Sequence, residues 1–341
     1  MGSNIVYNKI MKARTPISAP LTSISVAYMQ SLTGGATSFF PQVPVDISTG
    51  TYYIFNKDDL LRDDVQRKPI LGKVDPTVIS GDTDTYSCYP DQIIVGYDEI
   101  IQSDYLRLGA KGMLNVRQSK ARIITNKIFI HRNRDFAKNF FKSGVWGTDL
   151  MGGDNTSSSG VDFVSFDNAN SDPIRMITDA ITNMKRSTGR KPNKLGMGQR
   201  VFDALTRNQS IMSRIVYGGT SANPAIITER TLAALFGVEE IVVFDSIWNS
   251  SDLGAQENME FICDENSMLL VYATKTPAID EATAGYTFSW TMGLGTTLPV
   301  IEWDGEEGTY SHYIGGMVSE AQKVVCPDLG VFFKNAVTPE S

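Results

Sequence analysis

The spacing of hydrophobic positions changes along this chain, and each change marks a different kind of element. Residues 1–50 sustain no period. Ser, Thr, Pro and Gly recur there (Thr15-Pro16-Ile17-Ser18-Ala19-Pro20, Thr33-Gly34-Gly35), which predicts an extended arm ordered by contact with other parts. Tyr52, Tyr53, Ile54 and Phe55 then form a strand-like run, and a second run returns around Ile93, Ile94 and Val95. Between them Pro69, Gly72, Pro76 and Gly81 punctuate a polar stretch as loop. The pattern predicts a long hairpin over residues 51–100. An isolated hairpin is at best marginally stable in water, so this one is expected to lie on something else, most simply a neighbouring copy.

A long helical period follows. Leu106, Ala110, Met113 and Leu114 share one stripe, and Ile124, Ile128, Phe129, Phe136 and Phe140 continue it, with Asp104 as the expected N-cap and Gly144 as the stop. A break is expected near Gly109 or Gly112. Ser171-Asp172-Pro173 opens a second helix with a cap and an early proline; Ile174, Ile177, Ile181 and Met184 mark its face and Gly189 ends it. Lys194–Met197 reads as a short strand leading into a helix with Val201 and Leu205 inward. Another helix runs from Thr228 to Gly237 with Leu232, Leu235 and Phe236. Strands are expected at Ile241–Phe244, Phe261–Cys263 and Met268–Ala273, which makes this region an α/β unit on a central sheet. After Gly285 the pattern is all strand: Tyr286–Met292, Leu298–Trp303, Val318–Cys326 and Gly330–Phe333.

Composition alters this picture mainly through charge. The 341 residues are 42% hydrophobic and 20% charged, ordinary for a packed protein. Net charge is −7 but unevenly spread: Tyr105 to Lys142 holds ten Lys/Arg against Asp135 alone, so that segment carries +9 and the rest −16. The first 45 residues contain no acid. Such asymmetry points to two surfaces with different surroundings. No run approaches the ~18 apolar residues of a membrane-spanning helix, and no signal peptide is visible. The three cysteines, Cys88, Cys263 and Cys326, have neither disulfide nor zinc-site spacing and read as small buried thiols.

Candidate chemistry is sparse. With only His131 and His312, a histidine-dependent triad or zinc site has few members to draw on. GxSxG, P-loop and GxGxxG patterns are absent, and Gly293-Leu294-Gly295-Thr296-Thr297 is a turn with no helix after it. The acid pairs Asp58-Asp59 and Asp63-Asp64 read as solvated or intersubunit charges. No catalytic, metal or cofactor site is expected, and an α/β enzyme is the weakest reading.

Several stretches, taken in order, resemble the major capsid proteins of tailed bacteriophages, whose Hong Kong 97-like fold is shared with encapsulins. They are Tyr53-Ile54-Phe55-Asn56-Lys57-Asp58-Asp59-Leu60-Leu61-Arg62-Asp63, Asp84–Cys88, Trp146-Gly147-Thr148-Asp149, Thr188-Gly189-Arg190-Lys191-Pro192-Asn193, Leu235-Phe236-Gly237-Val238, Ala284–Trp290 and Val324–Val337. The resemblance covers nearly everything after about residue 45. It implies an α+β chain with an N-terminal arm (1–50) and an extended hairpin loop over a neighbouring subunit (51–100). A peripheral domain on the long spine helix (101–150 and 276–317) and an axial domain (151–275 and 318–341) complete it.

The implied function is a non-enzymatic shell protein that assembles into pentamers and hexamers, forming an icosahedral head around double-stranded DNA. The alternative is an encapsulin-like compartment enclosing cargo enzymes. Scaffolding, portal and decoration proteins are the implied partners, and the implied location is the virion capsid, assembled in the host bacterial cytoplasm. In that setting Arg62, Arg67 and Lys68 are expected to contact an adjacent subunit. Arg117, Lys120, Arg122, Lys127 and Arg134 are expected to face the lumen, near DNA held by non-specific phosphate attraction. A solvated helix face with intersubunit ion pairs explains the same charges and stays open here.

Overall fold

The computed structural model describes residues 38–339 apart from 56–60, 69, 71, 78–80, 101–102, 104–109, 157–158, 219–226, 253 and 278–280. The first strands are β1 (Gln42–Val45), β2 (Thr49–Phe55), β3 (Gly81–Ser87) and β4 (Tyr89–Asp98), followed by helix α1 (Ala110–Asn139). Next come β5 (Thr148–Gly153), β6 (Phe163–Val164), α2 (Pro173–Thr188), β7 (Lys194–Gly198), α3 (Gln199–Arg207), α4 (Gln209–Gly218) and α5 (Glu229–Phe236). The remainder is strand: β8 (Glu240–Phe244), β9 (Ile247–Asn249), β10 (Met259–Phe261), β11 (Met268–Val271), β12 (Gly285–Trp290), β13 (Val300–Asp304), β14 (Ser311–Val324) and β15 (Gly330–Lys334).

Two sheets organise the chain. In the first, β14 pairs with β4 along one edge over Ser311–Glu320, and along the other with β13 and then β12; β1 adds parallel to β12. The second has the order β6-β5-β15-β11-β7-β8. Its strands obey a period of two. Ile241, Val243, Met268, Leu270, Val331 and Phe333 face one core with α2, α3, α4 and α5, whereas Val242, Phe244, Leu269, Val271 and Phe332 face another. That second core is aromatic, built from Phe39, Phe40, Phe136, Phe140, Phe141 and Trp146.

Local chemistry explains the helix limits. Asp172 accepts from the Arg175 N–H with Pro173 in the first turn, and Gly189 closes α2 at φ 72°. Thr228 and Thr231 cap α5 reciprocally, and Gly237 ends it at φ 71°. These match the expected boundaries. The break expected near Gly112 is absent, since α1 runs through it; Gly109 and the Asp104 cap lie outside the described residues. α1 also stops at Asn139, ahead of Gly144, because Phe140 and Phe141 both turn into the aromatic core and the Phe141 N–H reaches back to the Phe136 carbonyl.

Two expectations need correction. The strand that returns against β2 is β3, with Thr49 opposite Ser87 and Phe55 opposite Gly81. Ile93, Ile94 and Val95 belong to β4 in the first sheet, opposite Gly316, Gly315 and Ile314. The hairpin therefore ends at Ser87, and the more apolar run was drawn into a core instead. The boundary expected at 317/318 also cuts through β14, one continuous strand; the chain changes sheet after Val324, through the turn Pro327–Leu329.

Helix α1 seats on the first sheet because β14 has no side chain where it crosses. Ala121, Ile124 and Ile128 pack with Val300, Ile314 and Val318. A Cβ built on Gly316 would collide with the Ile124 Cγ2 and lie 2.9 Å from the Ile128 Cδ1, while one on Gly315 would lie 2.8 Å from the Trp303 ring. The adjacent glycines let a helix and an indole approach β14.

Candidate assembly surfaces

The root of the hairpin is anchored on the first sheet. Tyr52 and Tyr86 pack on Phe288 of β12 at ring distances of 5.4 and 4.5 Å. The Tyr52 hydroxyl donates to Asp84 Oδ2 at 2.7 Å across the β2–β3 pair. Burial, and then that hydrogen bond, push the Tyr52 phenol well above its usual range, and the same bond lowers the Asp84 carboxyl. Beyond the root the described arm has no regular structure through residues 61–68 and 72–77. Val65 is 91% exposed and Ile70 97%, and Leu61 is exposed as well. Arg62, Arg67 and Lys68 lie on this arm, all exposed. Asp63 accepts from the Val65 N–H, a local turn contact; Asp58 and Asp59 fall outside the described residues.

The basic helix divides its charges. Arg132, which shares the helix with the residues expected in the lumen, turns inward. Its guanidinium grips Glu320 of β14 with Nε at 2.8 Å and Nη2 at 2.6 Å, both side chains being buried, and Ser289 donates to the same carboxylate at 3.1 Å. Arg134 lies over the Trp248 ring at 4.1 Å, fastening the β9–β10 hairpin to the helix. Lys120 is half-buried; Arg122, Lys127 and Arg134 are exposed. Lys120, Lys127 and Arg134 recur every seven residues, which puts them on one side of the exposed face. Arg117 is within α1, but its side chain is outside the described residues.

The remaining reactive groups are engaged in packing. His131 Nε2 lies 3.2 Å from Asp91 and 3.3 Å from Asp135; His312 Nδ1 lies 2.7 Å from Asp304. Burial pushes the Cys88 thiol up to about 11 and raises Cys263 as well, which keeps both protonated. Among the described residues no cluster of three or more His, Cys, Asp or Glu could hold a metal ion, and no helix is long and apolar enough to cross a membrane. The Gly293–Gly295 turn joins β12 to β13 with both glycines at positive φ. What the described surface offers is an uncovered arm and a cationic helix face. Trp248 as the seat of Arg134, and Glu320 as the partner of Arg132, had no signal in the spacing.

No protein-family model matches the chain, and no curated protein matches it. Solved structures do. A phage-related protein from Bordetella bronchiseptica RB50 is similar over 95% of this chain and 99% of its own, with TM-score 0.69 and 18% identity. The capsid of the cyanophage P-SCSP1u covers 86% of each chain at TM-score 0.53 and 11% identity. A virus-like particle from Pyrococcus furiosus covers 92% of this chain and 96% of its own at TM-score 0.50 and 11% identity. The chain has the Hong Kong 97-like capsid fold, a mixed α and β architecture.

Proposed function

We propose that this chain is the major structural subunit of an icosahedral shell, the head of a tailed bacteriophage, and that it acts by self-assembly without catalysis. The observation that carries the reading is the arm between β2 and β3. It leaves Val65 and Ile70 in water on a chain whose two sheets are otherwise well packed, and a second subunit would cover it. The likeness to a cyanophage capsid over most of the chain supports the same reading. The parts assigned are an N-terminal arm, a hairpin loop (residues 49–87), a peripheral domain on the first sheet with α1 and an axial domain on the second. Partners in this reading are further copies in pentamers and hexamers, with scaffolding, portal and decoration proteins and packaged DNA, in a virion assembled in the host cytoplasm.

Electron microscopy of the purified protein tests this directly. Closed shells or capsomers are expected at micromolar concentration, and a monodisperse monomer overturns the reading. Reversing Arg67 and Lys68 to Glu should cut shell yield while leaving the circular dichroism and melting of the disassembled chain unchanged. Small exposed pairs matter here because closed symmetry repeats each one.

The helix supplies a second expected result. Replacing Arg117, Lys120 and Arg122 with Gln should still give empty shells but weaken DNA retention. Each lost phosphate contact should flatten the salt dependence of retention by about one unit of log–log slope. Retention identical to wild type across salt would place these side chains away from the genome. An encapsulin-like compartment is the other shell reading, and protein cargo in purified particles in place of DNA would favour it.

A further inference from the structure

Both histidines of this chain sit between carboxylates, and they do so at opposite ends of one strand. β4 leads away from the hairpin root, separated from β3 only by Cys88. Near its start, Asp91 Oδ2 lies 3.2 Å from His131 Nε2, which also lies 3.3 Å from Asp135 Oδ2 one turn along α1. Just past its end, Glu99 Oε2 lies 3.9 Å from His312 Nε2, whose Nδ1 lies 2.7 Å from Asp304 of β13. The charged groups facing His131 are Asp91 from β4 and Asp135 and Arg134 from its own helix. Those facing His312 are Asp304 and Glu99, with the Tyr97 ring stacked on the imidazole at 5.3 Å. Both carboxylates at His131 lie against the same nitrogen, Nε2; a neutral imidazole carries no net charge, whereas the imidazolium attracts both of them at once.

We propose that His131 forms a proton-operated clamp between β4 and α1, closed when its imidazole is cationic and loosened when it is neutral, so that the rooting of the hairpin depends on pH. The clamp belongs to the chain's own fold and does not rest on the shell reading. Its sign follows from His131. The hydrogen bond to Asp91 leads in holding that imidazole above its ordinary value, against burial and the nearby Arg134. A raised folded value means the stabilisation is complete below about pH 6.5, the ordinary histidine value, and is lost as pH climbs through the raised one. Burial raises the Asp135 carboxyl, which sets the acid limit where that arm of the fork is lost.

Amide hydrogen exchange of residues 89–98 in the purified chain tests the clamp. Protection, corrected for intrinsic exchange, should fall by about two- to fivefold between about pH 5.5 and pH 8.5, the scale of half-exposed ion pairs. The His131→Gln chain should give a flat profile. A flat profile in the wild type, or the same fall in the variant, overturns the proposal. Should the variant not fold, the His131 NMR titration decides: Asp91→Asn must lower its midpoint, and an unchanged midpoint rejects the clamp.

Discussion

Replacing Arg132 with alanine is expected to destabilise the folded chain by about 3–5 kcal/mol, the largest loss from any single side chain discussed above. The substitution leaves the Glu320 carboxylate buried among β12, β14 and α1, with the Ser289 hydroxyl as its remaining described donor. A buried ion pair need not stabilise a fold relative to apolar residues, but half of one is strongly unfavourable. The double change Arg132→Met with Glu320→Leu should therefore recover most of the loss. Urea unfolding of the disassembled chain measures both. An alanine variant within about 1 kcal/mol of wild type would mean that water reaches Glu320 and that the pair does little.

The second large effect is expected at Gly316. An alanine there must push the Ile124 side chain off the sheet, with a cost of about 1–3 kcal/mol, and valine should be worse. The collision is with one named neighbour, so the loss should be strongly non-additive with Ile124→Ala. That change alone opens a cavity worth about 2–5 kcal/mol, yet it makes room for the new methyl group. Additive losses in the double variant would show that the helix had moved as a body. The same unfolding measurement, run as a two-mutant cycle, separates the two outcomes.

Much of this architecture was legible in the spacing of residues, and the misreadings have physical causes. Helices α2 and α5 announced themselves through Asp172-Pro173, Gly189 and Gly237, signals that act within one turn. The apolar stripe of α1 was visible because Ile124, Ile128, Phe136 and Phe140 keep helical spacing through a strongly basic stretch. β3 was missed because Gly81-Asp82-Thr83-Asp84-Thr85-Tyr86-Ser87 offers only Tyr86 to a core, while β4 is apolar enough to imitate the hairpin's return. α4 and β5 were not anticipated either; Thr148–Gly153 ends in two glycines and carries no alternation.

Phe39 and Phe40 lay in what read as an arm, yet both are buried against Phe136, Phe140 and Trp146, a pairing across about 100 residues that no local period reports. Arg132 is the sharpest case. Among ten cations in one segment, nothing in the spacing singles out Arg132 as one that faces inward, because its partner is a carboxylate 188 residues away. Arg62, Arg67 and Lys68 are exposed on the arm, and contacts with another molecule of the kind proposed for them leave no period in a single chain.

Helix α1 has a mechanical consequence. Ala121, Ile124 and Ile128 pack into the core of the first sheet and Phe136 and Phe140 into the aromatic core of the second, so one rod is held at two places about 20 Å apart. A rod held at two places resists bending between them. Tilting one sheet against the other would have to strip phenylalanines from their packing or bow the helix. In a closed shell, where neighbours meet at more than one angle, the body of the subunit would then behave as a rigid tile. The differences in curvature would be taken up by the parts that the rod does not hold, foremost the hairpin rooted at Tyr52, Tyr86 and Phe288.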